Sequence, residues 1–319
     1  MSLHKRVLVT GASGFVGANL ARVLFRKNFT VFLLLRPSYN PWRIQDIKRD
    51  VAIRLADLAD ERQVTAVVRQ IKPDWVFHLA TYGAYPHQDD EAQMIETNIK
   101  GTLNLARACI KAGVKVMMNT SSSSEYGFKA DRPTENQLPT PNSDYAATKA
   151  AATLWCRYLA EKHRLYIPTL RLYSVYGPFE EPTRLMPRLM LNILQGRWPP
   201  LVDPLIARDF IYVDDVCEAM VRVTRRRAKE WGPIYNVGSG TQTRLKQLVA
   251  LTRRLFKVKQ APVWATMKAR RWDTNIWRAN PSKIRRDYHW QPEYTLEQGL
   301  QRMGRWLQEP QWQKFYAQD

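Results

Sequence analysis

The chain has 319 residues, 45% hydrophobic and 24% charged, enough to bury one large α/β unit or two domains, and this excludes a disordered, collagen-like or fibrous protein. Forty-nine lysines and arginines against 29 aspartates and glutamates leave a net charge of +20, which favours anionic partners. Cys109, Cys156 and Cys217 lie far apart in apolar helical patterns, so neither a disulfide framework nor a thiolate metal cluster is expected. No run of 18 apolar residues occurs, and Lys5-Arg6 leads straight into a short strand pattern without a signal-peptide core. A cytoplasmic protein with no membrane insertion is the expectation.

In chain order the patterning predicts a strand over Arg6–Thr10, a helix over Phe15–Lys27, a strand over Thr30–Leu35, a helix over Asp60–Ile71 and a strand over Trp75–Leu79. Helices over Glu91–Ala112 and Ser143–Arg164 and strands over Val114–Asn119 and Ile167–Leu172 follow. Such alternation predicts βαβ units in a doubly wound parallel Rossmann sheet of the α/β class. Beyond Gly177-Pro178, five prolines (Pro182, Pro187, Pro199, Pro200, Pro204) break the chain into loops and short helices, as a smaller, mixed α/β substrate-binding domain would require. The expected division is a dinucleotide-binding domain over 1–175, with 207–230 returning to it, and a substrate-binding domain over 176–206 and 231–319. A strand at Asp209–Val213 and the helix after it are the segment expected to return to the main sheet. Basic clusters at Arg225-Arg226-Arg227, Arg253-Arg254 and Arg270-Arg271 read as solvated faces, because no nucleic-acid-binding module accompanies them.

The first strand runs into Gly11-Ala12-Ser13-Gly14-Phe15-Val16-Gly17, a glycine turn opening a helix. Glycines let the backbone approach a pyrophosphate, and the helix offers it unpaired N–H groups and a positive dipole end. Gly11, Ser13, Gly14, Phe15, Val16 and Gly17 are therefore cofactor candidates. The second strand ends at Leu35-Arg36, where an NAD binder usually carries an acid for the ribose 2′-hydroxyl. Arg36, with Arg43 as a second clamp, suits a 2′-phosphate and points to NADP. Asp57-Leu58, after the third strand, is placed to contact the adenine.

Tyr145 and Lys149 stand four residues apart, on one face of a helix. The ammonium is expected to lower the phenol pKa and make it a usable general acid or base. A hydroxyl-rich run, Asn119 to Ser124, leaves a predicted strand at its carboxyl end, where open α/β sheets place their ligands.

With these residues in place the sequence resembles the extended short-chain dehydrogenase/reductase family, and within it the nucleotide-sugar epimerases, dehydratases and reductases. The shared text is TGASGFVG at 10–17, DL at 57–58, HLA at 78–80, TNIKGT at 97–102, SSSSEYG at 121–127, YAATK at 145–149, RLYSVYGP at 171–178, RDFIYVDD at 208–215, YNVGSG at 235–240 and NPSK at 280–283. The resemblance implies a catalytic triad of Ser122, Tyr145 and Lys149, with Ser123 as the alternative register for the serine. It gives Lys149 a second task on the nicotinamide ribose, lines the cofactor channel with Leu79, Ala80 and Thr81, and makes Asn98 the structural asparagine before the helix that holds the site. Arg208, with Arg270 or Arg271, would clamp a nucleotide diphosphate, as guanidinium forks suit phosphate oxygens. Tyr82, Tyr85, His87 and Gln88 stand where sugar contacts are expected, and a homodimer packed through the two long helices is implied.

Two departures from the family pattern bear on the reaction. The Asp-Glu pair that drives elimination in the 4,6-dehydratases is replaced by Ser123 and Ser124, with Glu125 one residue later as a substrate contact, an acid or a packing residue. The asparagine that often holds the nucleotide sugar is replaced by Ser174. The first expectation is an NADPH-dependent reductase of a nucleotide-linked 4-keto-6-deoxyhexose, Tyr145 protonating the forming alkoxide while Ser122 hydrogen-bonds it. The alternative is a nucleotide-sugar C4 epimerase with retained NAD. An unusual dehydratase and a non-catalytic binding protein are minor readings, and nucleic acid is set aside as a partner.

Overall fold

The computed structural model describes residues 5–128, 131–267 and 274–316. In chain order its strands are β1 (Arg6–Thr10), β2 (Thr30–Leu35), β3 (Ala52–Leu55), β4 (Trp75–His78), β5 (Val116–Ser122), β6 (Thr169–Leu172), β7 (Ser174–Tyr176), β8 (Ala207–Arg208), β9 (Phe210–Tyr212), β10 (Ile234–Val237) and β11 (Thr243–Arg244). The helices are α1 (Phe15–Arg26), α2 (Glu61–Ile71), α3 (Glu91–Met94), α4 (Gly101–Ala112), α5 (Asp144–His163), α6 (Leu185–Leu194), α7 (Val213–Arg225), α8 (Leu245–Phe256), α9 (Ser282–Tyr288), α10 (Leu296–Leu307) and α11 (Pro310–Tyr316). A π-helical segment, Ile95–Lys100, joins α3 to α4. Among the described residues no helix is long and apolar enough to cross a membrane.

Seven strands form one parallel sheet in the order β10-β6-β5-β4-β1-β2-β3. Successive strand residues face opposite sides, and here both sides are covered. Val7, Val9, Leu33, Phe77 and Met118 pack under Leu20 and Leu24 of α1 and Val216 and Met220 of α7. Leu8, Leu34, Val76 and Met117 face Val64 and Val68 of α2, Leu105 of α4 and Leu159 of α5. Burial on both faces explains why β1 and β4 read as continuous apolar runs rather than alternating ones. A third core, holding Met190 of α6, Leu248 of α8, Leu300 and Met303 of α10, Tyr176 and Tyr212, belongs to the smaller lobe.

Two expectations about chain routing are corrected. The strand expected over Asp209–Val213 forms as β9 but pairs in parallel with β7; only the helix that follows, α7, joins the main layer, because its apolar stripe covers the sheet beside α1. Conversely β10, within the stretch assigned to the second lobe, extends the main sheet beside β6, with Ile234 to Val237 in register with Thr169 to Leu172. The third strand expected before Asp57-Leu58, without bounds, forms as β3, an edge strand of four residues containing Arg54, too short an apolar pattern to set its own limits.

The last helices fasten a strap across the cofactor side of the sheet. Trp42, Phe179, Trp306, Trp312, Phe315 and Tyr316 form one aromatic cluster. The Tyr316 hydroxyl donates to the Glu180 carbonyl. Asn19 Nδ2 of α1 donates to the Pro178 carbonyl at 2.8 Å. Residues 178–181 are thereby held against α1 and the glycine turn.

Candidate active site

The carboxyl ends of β1, β4 and β5 meet at one edge of the sheet and carry the site. Gly11 takes φ +71°, and a Cβ there would lie 2.5 Å from the Ala80 backbone nitrogen. At Gly17 a Cβ would lie 2.3 Å from the Gly11 carbonyl oxygen. A side chain at Gly11 would collide with the backbone of the H-L-A segment and one at Gly17 with the turn itself, so both positions keep the backbone close. Helix α1 opens at Gly14 without a side-chain cap and without an acid in its first turn, so its leading N–H groups and dipole are left for an anion. Gly11 to Gly17 with Leu79 and Ala80 therefore fit the pyrophosphate of a dinucleotide.

Tyr145 lies in the first turn of α5, whose N-cap Ser143 accepts from the Ala146 N–H. The Ser122 and Thr81 side chains act on the phenol in the direction that lowers its pKa, against its burial. Ser122 Oγ accepts from Ser124 N at 3.1 Å and from Ser124 Oγ at 2.7 Å. With both lone pairs so engaged, the Ser122 proton is left to donate elsewhere. Ser123 is buried and lines a small cleft with Tyr126, Tyr173, Trp277 and Arg278; the Tyr173 hydroxyl there is buried without a hydrogen-bond partner, a feature the sequence did not signal.

Burial pushes the Tyr145 phenol up to about 12, against the expectation that Lys149 would bring it down. Desolvation outweighs every charge near it. Lys149 is itself buried, which pushes its ammonium down to about 8, with the Glu125 carboxylate resisting.

Asn98, in the π-helical segment, uses its whole amide to position the site. Its Oδ1 accepts from Thr81 Oγ1 at 3.0 Å and from the Tyr82 N–H at 2.9 Å, while Nδ2 donates to the Tyr82 carbonyl at 2.8 Å and to Thr148 Oγ1 at 3.0 Å. One residue thus ties the H-L-A-T-Y segment to α5, and its amide is occupied by the chain rather than turned to a cofactor. His78 bridges Thr10 and Thr102 at 2.8 Å on each side; burial drives it down to about 3, so it is a neutral tie between β1, β4 and α4.

Glu125 is corrected from a substrate contact to a buried ion-pair partner. It is fully buried, paired with Arg171 at 2.8 Å, and accepts from Thr153 at 2.7 Å and from Ser121. Arg171 also donates to Tyr126 at 2.7 Å, and Tyr126 donates to Asn236 Oδ1 at 2.8 Å. Every lone pair that could reach a sugar is spent on holding β5, β6 and β10 together.

Arg43 is likewise corrected. Its guanidinium donates to the Phe179 carbonyl at 2.8 Å and to Glu181 at 2.7 Å, with Ser13 O at 3.5 Å, so it fastens the strap and is not available as a second 2′-phosphate clamp. Arg36 is exposed at the end of β2. Asp57 is exposed, its Oδ1 accepting from the Ala59 N–H at 2.9 Å, while Leu58 is buried against Gly101. Ser174 opens β7, and Arg208, one strand away, donates to the Ala207 carbonyl at 2.7 Å with its guanidinium over the Trp277 ring. Arg270 and Arg271 lie outside the described residues. Tyr82 is half-buried; Tyr85 and His87 stack at 5.7 Å, and Gln88 accepts from the Gly83 N–H at 3.2 Å.

A glycine cradle, a Ser–Tyr–Lys centre and a proline-rich lobe on one sheet edge can be set beside known proteins. The family model of the NAD dependent epimerase/dehydratase family matches residues 7–238. The chain belongs to this family. It is 27% identical over 314 residues to a UDP-glucuronate 4-epimerase of Thermodesulfobacterium geofontis, covering 95% of this chain and 96% of that one. A dTDP-glucose 4,6-dehydratase of Streptomyces griseus is 29% identical over 318 residues, covering 94% and 92%. Among solved structures, a UDP-glucose 4-epimerase of Thermus thermophilus in complex with NAD superposes with a TM-score of 0.84 at 26% identity, over 96% of this chain and 99% of that one. These relatives favour the epimerase alternative over the 4-ketoreductase reading and NAD over NADP.

Proposed function

We propose that this family member interconverts the C4 epimers of a nucleotide diphosphate sugar with an NAD that it keeps through the cycle. The observation that carries the reading is the sequence at the serine: Ser123 and Ser124, not an acid pair, follow Ser122, while Tyr145 lies in the first turn of α5. Loss of water from C5 and C6 needs an acid and a base beyond the tyrosine, and the nearest carboxylate, Glu125, is sealed in its pair with Arg171. What remains is proton transfer at one oxygen.

The glycine cradle would hold the pyrophosphate of NAD, with Thr81 and Lys149 at the nicotinamide end. Bound NAD supplies a hydride acceptor that returns the hydride after the sugar has turned its other face. Tyr145, entering the step as the phenolate, takes the proton of the C4 hydroxyl at its phenolic oxygen as the ketone forms and gives it back as the ketone is reduced. Ser122 donates to the same sugar oxygen and steadies its developing charge. Lys149 places a positive charge beneath the phenol. Arg208 would engage the diphosphate. Leu154, Trp155 and Tyr158 remain exposed on α5 at 57%, 41% and 52%, which supports a dimer through this helix, checked by light scattering.

The test is to denature the purified protein, identify any released nucleotide by mass spectrometry, and incubate the native protein with UDP-glucuronate or UDP-glucose without added cofactor. Stoichiometric NAD(H) and an equilibrium mixture of C4 epimers are expected. Consumption of one NADPH per 4-keto sugar would replace the reading with the reductase.

A further inference from the structure

In a parallel sheet covered by helices, the covering helices end and the strands begin at one edge, so the joins between them lie opposite the edge that carries the candidate site. These joins are basic. Arg26 and Lys27 stand before β2, Lys162 and Arg164 before β6, and Arg225-Arg226-Arg227 before β10, all of them exposed. Backbone bonds gather the joins into one face: the Thr30 N–H donates to the Lys5 carbonyl at 3.1 Å, the Asp74 N–H to the Arg6 carbonyl at 2.8 Å, and the Ile167 N–H to the Trp231 carbonyl at 2.8 Å. Of the acids beside them, Glu218 is engaged by Lys27 at 3.2 Å and Arg222 at 3.0 Å, Glu230 by Lys283 at 3.3 Å, and Asp74 by the Arg6 N–H at 2.9 Å, which leaves Glu161 against the cations. Helix dipoles do not account for the excess. A helix end amounts to about half a negative charge, whereas the join after α7 carries three arginines in a row.

We propose that this basic edge docks the protein on an anionic lipid surface, with the candidate active site turned away on the opposite edge and open to nucleotide sugars in solution. The inference goes beyond the C4-epimerase reading and stands without it.

Charge alone fits any polyanion, and the aromatic residues of the face decide between them. Single-stranded nucleic acid needs open ring faces on which its bases stack, and a duplex needs an element that enters a groove. Here the Trp231 ring is covered by the Arg227 guanidinium at 3.9 Å and the Trp75 ring by the Lys5 ammonium at 4.0 Å. The helices that end on this face lie packed on the sheet, so none is free to enter a groove. Phe25, in the last turn of α1, is 40% exposed beside Arg26 and Lys27. An apolar ring flanked by cations suits a headgroup layer, where the ring reaches the acyl boundary and the cations meet phosphate and carboxylate groups.

The experiment sediments the full chain with vesicles of phosphatidylcholine, with and without about one third phosphatidylserine, at about 0.1 M salt. Partitioning onto the anionic vesicles should exceed that onto the neutral ones by about 30-fold or more and should fall as salt is raised. With Tm unchanged, Arg225→Gln/Arg226→Gln should lose about 30-fold, or about fivefold per charge. Phe25→Ser should lose about fivefold. The charge-matched Lys257→Gln/Lys259→Gln removes two exposed lysines of the smaller lobe and should stay within about threefold of the wild type. Equal losses from the two double variants would mean that net charge and not this face drives binding, and would overturn the assignment. So would a wild type without preference for the anionic vesicles. Displacement from the vesicles by an equal charge of single-stranded or duplex DNA would give the face to nucleic acid and overturn the lipid partner.

Discussion

Replacing Lys149 by methionine should make the protein more stable and inactive at once. Lys149 lies at 3% exposure one turn after Tyr145 on α5, and burial shifts its ammonium from 10.5 to about 8. Between those values the unfolded chain holds the proton and the folded chain does not, so the lysine's contribution to stability rises with pH across the window and is at its worst below about 8. The displacement corresponds to about 3 kcal/mol at pH 7. Methionine keeps most of the stem and removes the charge. With cofactor removed, Lys149→Met should therefore gain about 2–3 kcal/mol in urea unfolding at pH 7, and the gain should shrink to about 1–1.5 kcal/mol at pH 9.5. Groups common to both proteins cancel in the difference. A variant less stable than the wild type at pH 7, or a difference that does not move with pH, would refute the reasoning.

Tyr145→Phe should abolish turnover while NAD content after purification stays within about threefold of the wild type, since the phenol is assigned to the proton and not to the pyrophosphate; residual turnover above about 1% would remove it from the acid/base role. Arg171→Met leaves the fully buried Glu125 carboxylate without its cation and should cost about 3–5 kcal/mol in denaturant unfolding, whereas a loss below about 1 kcal/mol would mean that the pair does not hold the strands. Arg36→Ala should leave NAD affinity within about threefold, measured by fluorescence titration; a larger loss for NADPH than for NADH would revive the 2′-phosphate role of that residue.

What the sequence disclosed was local. β1 and β2 stand over the residues their apolar runs predict, and the Gly11–Gly17 turn, Tyr145 and Lys149 are legible because each motif closes within one turn or one helix face. What it hid was remote. Nothing near Arg43 announces Phe179 and Glu181, about 136 residues on, and nothing near Glu125 announces Arg171. Arg43 was read as a ligand contact, and Glu125 as a substrate contact, an acid or a packing residue, because a charge looks free until its partner is known. β10 follows Pro233 in a stretch given to the other lobe, and only the register with β6 brings it back. The π-helical step at Asn98 has no sequence signature, yet it aims that amide at Thr81.

The strap over the glycine turn imposes an order of assembly. Its fastening residues, Trp306, Trp312, Phe315 and Tyr316, are synthesised some 290 residues after the glycines they help enclose. A nascent chain halted before α11 can form β1 and α1 but cannot latch residues 178–181 across them. If the glycine turn holds the dinucleotide as proposed, its capture is expected to be a late maturation step, one that a chain stalled at residue 305 should fail and a chain extended through residue 316 should pass.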